Sequence, residues 1–80
     1  MSSSAIKLEA RAVEVSVTAD TLQVRLADGR ELDVPVAWFP RLQQASLDAR
    51  NKCRLIGGGI GINWPELDED ISVEGLLGTH

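Results

Sequence analysis

Cysteine occurs once in these 80 residues, at Cys53, so no disulfide can form within the chain, and a reducing, cytoplasmic setting is the expectation. The one histidine is His80, the last residue. That leaves no histidine pair for a metal and no Ser–His or Cys–His couple for nucleophilic catalysis within the body of the chain. No apolar run approaches the ~18 residues that a membrane span needs. Residues 1–10 hold no apolar stretch of the kind a signal peptide carries. Tyrosine is absent and the aromatics reduce to Trp38, Phe39 and Trp64. Basic residues are outnumbered, eight against twelve acidic, for a net charge of −4, which argues against direct binding to a nucleic-acid backbone.

What is present is enough for one domain over residues 1–80, with residues 1–8 expected to be flexible. A chain this short buries only roughly 60% of its unfolded surface, so a protein partner or a homodimer is expected to help it. Val13, Val15 and Val17 alternate with polar residues, as do Leu22, Val24 and Leu26, and then Leu32, Val34 and Val36. Period two with β-branched residues predicts three strands in an antiparallel meander. Register tests the turns. A three-residue loop at Ala27, Asp28 and Gly29 opposes Val24 to Leu32 and Leu22 to Val34, keeping the apolar faces together. A two-residue turn would instead oppose Val24 to Asp33. Gly29 is therefore expected at positive φ. A two- or four-residue loop around Ala19 and Asp20 pairs Val17 with Leu22. Pro35 marks the third strand as an edge.

Pro40 suits the first position of a helix, expected to run to about Lys52 with a second cap at Ser46. Gly57, Gly58 and Gly59 predict a tight turn, because the phosphate-loop alternative needs a following helix and a Lys-Ser/Thr pair that are missing. Ile60, Ile62 and Trp64 alternate as a fourth strand, ended by Pro65. Asp70 or Ser72 is expected to cap a last short helix over residues 73–77, closed by Gly78.

Three features invite a functional reading. Glu66, Asp68, Glu69 and Asp70 follow Trp64 and Pro65 as an acidic cluster. It could hold a divalent metal or form an acidic recognition surface, although the spacing is not that of a calcium loop. Carboxylates favouring the positive end of the final helix are the plainer account. Trp38 and Phe39 are adjacent, and neighbours in extended chain point to opposite sides. Core packing at one end of the sheet is the plainer account of the aromatics; the alternative is that one of Trp38 and Phe39 is an exposed anchor beside Arg41, a combination enriched at binding hot spots. Cys53 reads as a small, semi-buried residue rather than a reactive thiol. The charge is also uneven. Residues 1–54 hold all eight Lys and Arg against seven Asp and Glu, whereas Glu66, Asp68, Glu69, Asp70 and Glu74 follow with no basic partner but His80.

Four segments carry a resemblance: Leu26-Ala27-Asp28-Gly29-Arg30, Val34-Pro35-Val36-Ala37-Trp38-Phe39-Pro40-Arg41-Leu42, Leu55-Ile56-Gly57-Gly58-Gly59, and the run from Ile62-Asn63-Trp64-Pro65-Glu66-Leu67-Asp68-Glu69-Asp70 to Leu77. Together they resemble the DUF2442 family of small bacterial proteins, from about Val13 to Gly78. The resemblance implies an α+β fold of a small sheet with short helices and no established enzymatic activity. Members that sit beside another small reading frame imply an antitoxin-like role, and others are fused to a helix-turn-helix module, which is not expected here. In relatives the position of Cys53 tends to be aromatic.

The expectation is thus a single α+β domain: a small antiparallel sheet of four or five strands, formed by a β-meander plus a further hairpin, with two or three short helices packed on one face. Function is expected to be non-enzymatic, through protein interaction or regulation. The candidate binding residues are Trp38, Phe39, Arg41, Trp64, Glu66, Asp68 and Asp70. A small-ligand or metal protein using the 66–70 cluster and a DNA-associated regulator acting with a partner are the alternatives. No catalytic residue, metal site or cofactor is assigned.

Overall fold

The computed structural model describes residues 8–78, so the expected flexibility of residues 1–7 falls outside it. The three alternating segments form β1 (Ala12–Val17), β2 (Thr21–Leu26) and β3 (Glu31–Pro35), an antiparallel meander in the order β1-β2-β3. Register follows the apolar pattern: Val17 lies opposite Leu22, Leu22 opposite Val34, and Val24 opposite Leu32. The β2–β3 turn is the three-residue loop that pattern requires. Leu26 N–H donates to the Arg30 carbonyl at 2.8 Å, and Gly29 has φ 97°. Any L side chain is strained there, and glycine is not.

β1 departs from simple alternation. Ala12, not Val13, pairs with Leu26, and the register shifts between Ala12 and Glu14. A bulge thus inserts Val13 as an extra residue and turns it outward, 45% exposed, while Ala12 takes the core position.

After β3 a single 3₁₀ turn spans Val36–Trp38, followed by α1 (Pro40–Gln43) and α2 (Leu47–Arg50). The helix expected from Pro40 is therefore two short helices. The chain breaks at Ser46, whose extended backbone (φ −68°, ψ 160°) and side-chain oxygen, accepting from Ala49 N–H, start α2.

The second half forms its own sheet. β4 (Arg54–Ile56), β5 (Gly61–Trp64) and β6 (Glu69–Ser72) are antiparallel in the order β4-β5-β6. The further hairpin is thus a separate three-stranded sheet, parted from the meander by the helical segment. Leu55 and Ile56 supply β4. Ile60 leaves the strand for the glycine turn and is 59% exposed. α3 (Val73–Leu76) follows directly, capped by Ser72, whose side chain accepts from Gly75 N–H. Of the two expected caps the hydroxyl acts. The carboxylate of Asp70 instead faces Asn63 across β5.

The two sheets share one core. Leu22, Val24 and Leu26 of β2 join Val36, Leu42, Ile62, Trp64 and Val73 in a single buried cluster. Backbone bonds stitch the halves together: Ala12 N–H donates to the Gly59 carbonyl at 2.7 Å. A Cβ on Gly59 (φ 106°) would collide with the Ala12 carbonyl oxygen, so this glycine is required for the contact.

Candidate interaction surface

The 3₁₀ turn decides the fate of the two adjacent aromatics. Residues i and i+3 eclipse in a 3₁₀ helix. Val36 is 1% exposed, and Phe39, three residues on, packs against the same core. Trp38 between them is left on the outside, 66% exposed. Two backbone bonds hold the turn: Val36 N–H donates to Asp20 O, and Phe39 N–H to Val36 O, both at 2.9 Å. Pro40 then starts α1, and Leu42, fully buried, anchors it.

Beside Trp38 lies a groove of about 310 Å³. One wall is Trp38 and Phe39, the other is β6 along its whole length, and Gly75 and Leu76 of α3 close one end. The groove is apolar where Phe39, Ile71 and Leu76 line it and acidic where Glu69 and Asp70 do.

The remaining sequence candidates scatter. Trp64 is fully buried, and its indole Nε1–H donates to the Arg50 carbonyl at 2.6 Å, so it belongs to the core and presents nothing at the surface. Arg41 reaches the β5–β6 loop, where its guanidinium bonds the Asp68 carbonyl and stands 3.7 Å from the Asp68 carboxylate. Asp68 adopts φ 54°, the left-handed conformation that Asp tolerates in tight turns. Glu66 lies 3.7 Å from Lys52, which also pairs with Asp48 at 3.1 Å. The Asp48 hydrogen bond, more than Glu66, holds the Lys52 ammonium above its ordinary value. The acidic run is therefore spread along a hairpin. Among the described residues no three His, Cys, Asp or Glu side chains gather closely enough to hold a metal ion.

Cys53 is half-buried, and burial pushes its thiol up, the opposite of what an activated nucleophile needs. Three exposed or half-exposed arginines are paired with acids. Arg25 pairs with Glu14 at 2.6 Å, Arg30 with Asp28 at 2.9 Å and Arg11 with Glu9 at 3.1 Å.

Sequence reasoning missed Arg50. It is 8% exposed and donates only to backbone carbonyls: Ala45 at 3.2 Å, Thr18 at 3.0 Å, Ala19 at 2.8 Å and Gln43 at 2.7 Å. One guanidinium thus gathers the end of α1 and the β1–β2 turn. Asn51 beside it offers Oδ1 to Val17 N–H and donates Nδ2–H to Val17 O, so a side-chain amide stands in for a neighbouring strand on β1. The only sequence signal was that these residues end a helix, where cations favour the carbonyl end.

Comparison with known proteins fits this architecture. The model of the family described as a protein of unknown function, DUF2442, matches residues 12–79. The chain belongs to that family. A crystal structure of a protein of unknown function from Rhodospirillum rubrum ATCC 11170 is similar to this DUF2442 chain, with a TM-score of 0.75 and 29% sequence identity. The match covers 86% of this chain and 90% of that one. Among curated proteins nothing matches.

Proposed function

We propose that this DUF2442 chain is a non-enzymatic, cytoplasmic protein-interaction module that meets its partner on the Trp38 face, with antitoxin-like regulation one form such a role takes. The observation that carries the reading is Trp38 itself. A backbone-bonded turn buries Val36 and packs Phe39 while holding the largest side-chain type outward, beside a groove with apolar walls. Exposed tryptophan next to an apolar groove is the composition of a binding hot spot. The acid-paired Arg11, Arg25 and Arg30 and the buried Arg50 favour a protein partner over direct nucleic-acid binding, and among the described residues the carboxylates of the 66–70 cluster are dispersed.

The test is capture of a stoichiometric partner from native lysate, with masses read under native conditions, for the wild type and Trp38→Ala. The expected result is a partner whose affinity falls roughly tenfold or more on losing Trp38. Equal retention by both proteins contradicts the reading.

A further inference from the structure

We propose that β6 accepts an added strand: an extended cationic segment of a partner protein, with one apolar side chain seated between Trp38, Phe39 and Leu76. This names the partner chemistry of the surface above and rests on that reading.

Among the described residues β6 is paired with β5 alone and forms an edge of its sheet. Val73 N–H donates to the Ile60 carbonyl at 3.0 Å. Hydrogen-bonded and non-bonded pairs alternate along an antiparallel ladder. Ile71 with Ile62 and Glu69 with Trp64 are then the pairs that exchange bonds with β5. Asp70 and Ser72 consequently turn their N–H groups, and Asp70 its carbonyl, away from β5. The groove of about 310 Å³ lies along this same strand, with Trp38 and Phe39 facing it. An incoming strand would pair with the free edge and set alternate side chains into the pocket, the mode by which extended peptides extend a sheet.

Charge selects the occupant. Glu69 and Asp70 lie on the strand, within a segment that carries five carboxylates and no Lys or Arg after Arg54. Arg41 is already held by Asp68, and Lys52 by Asp48 with Glu66. Arg54, two strands away, donates to Asn63 Oδ1 at 3.2 Å, and Asn63 in turn donates to the Asp70 carboxylate, so no cation pairs directly with Glu69 or Asp70 among the described residues. A second copy of this chain paired β6 to β6 would instead bring two sets of Glu69 and Asp70 across a strand spacing of about 4.8 Å, where like charges repel.

The experiment titrates the ¹⁵N-labelled full chain with a short synthetic peptide alternating Arg or Lys with Val and Leu, against the same peptide carrying Glu for each cation. Expected are saturable shifts at the Asp70 and Ser72 amides and the Trp38 indole, slowed amide exchange at Asp70 and Ser72, and weakening with salt. The Glu peptide should not bind. A Glu69→Gln, Asp70→Asn double variant should bind roughly tenfold more weakly. Asp70→Pro removes the outward donor without a bond to β5 and should abolish binding while the buried Trp64 emission stays in place. Equal binding of both peptides, shifts on β3 or β4 instead, undiminished binding by folded Asp70→Pro, or a dimer that protects Asp70 and Ser72 without peptide each overturns the proposal. Absence of peptide binding alongside a lysate partner that still depends on Trp38 overturns strand addition and leaves the interaction reading standing. Loss of both removes both.

Discussion

The two sheets meet at one core yet are built to different margins. The first has strands of five or six residues with apolar and polar positions in alternation, broken only by the bulge at Val13, and its outer face is laced by Arg25–Glu14 and Ser16–Gln23 pairs. The second has strands of three or four residues, turns through three glycines at positive φ, and carries carboxylates along its last strand. The first sheet could hold its register from its own pattern. The second depends on long-range contacts: the core seat of its own Trp64 side chain, the Gly59 contact with β1, and the Arg50 carbonyl that receives the Trp64 indole. Most of the chain's stability thus sits where the two sheets meet, and its outward-facing features sit on the second sheet's edge. β6 puts Ile71 into the core and leaves its outer edge beside an outward tryptophan, the surface proposed for a partner.

Removing the supports of the second sheet should have the largest effect. Trp64→Ala deletes the largest fully buried side chain and its hydrogen bond. Equilibrium urea unfolding should show a loss of about 4 kcal/mol, a large share of the roughly 4–12 kcal/mol expected of a domain this size. Arg50→Met comes next. It keeps much of the side-chain length but strands the carbonyls of Gln43, Ala45, Thr18 and Ala19, and should lose about 3 kcal/mol by the same measurement. A loss within about 0.5 kcal/mol would show water replacing the guanidinium at those carbonyls. Gly59→Ala strains a left-handed residue and drives a methyl into the Ala12 carbonyl, for a loss of about 2 kcal/mol. The contrasting Gly58→Ala, at φ 72° with open space around its Cβ, meets only the conformational strain and should cost less.

The same contrast governs what the sequence made legible. In the first sheet the register followed from the cost of opposing Val24 to Asp33, and Gly29 followed from the register. The bulge at Val13 did not, because valine fits either side of a strand and the choice is made by Gly59 docking on Ala12. In the second sheet the glycine turn was readable, while β4 and β6 were not. Strands of three or four residues are too short to show a period, and Glu69 and Asp70 read as loop until β5 pairs with them. For the candidate surface, core packing was the plainer expectation for Trp38 and Phe39; adjacency left room for one outside, and the 3₁₀ turn puts Trp38 there. Arg50 looked like any helix-end cation, since burial by distant backbone carbonyls leaves no local trace.

A smaller effect separates the halves by pH. Asp28, in the first sheet's turn, accepts hydrogen bonds from the Arg30 side chain and backbone and from Glu9 N–H. The Arg30 side chain does most to hold its carboxyl down, from 3.8 to about 2. A depressed pKa means that the contribution is whole above pH 4 and is lost as pH falls through the interval between those two values. Asp28→Asn should therefore show its full stability deficit at pH 7, a modest one at a partly exposed ion pair, and the gap to wild type should close as pH falls from 4 to 2. An unchanged acid limb would place the acid sensitivity elsewhere, in the carboxylates of the second half.

The smallest expected effect on folding belongs to the residue with the largest expected effect on recognition. Trp38→Ala should leave urea stability within about 0.5 kcal/mol, because the side chain it removes is mostly in water. The most direct test of the account measures both properties on that one variant: thermal or urea unfolding followed by the buried Trp64 emission, and partner retention under native conditions. The account predicts an intact fold with partner affinity reduced roughly tenfold or more. A variant that loses stability while keeping its partner would contradict it, and would make Trp38 part of the fold.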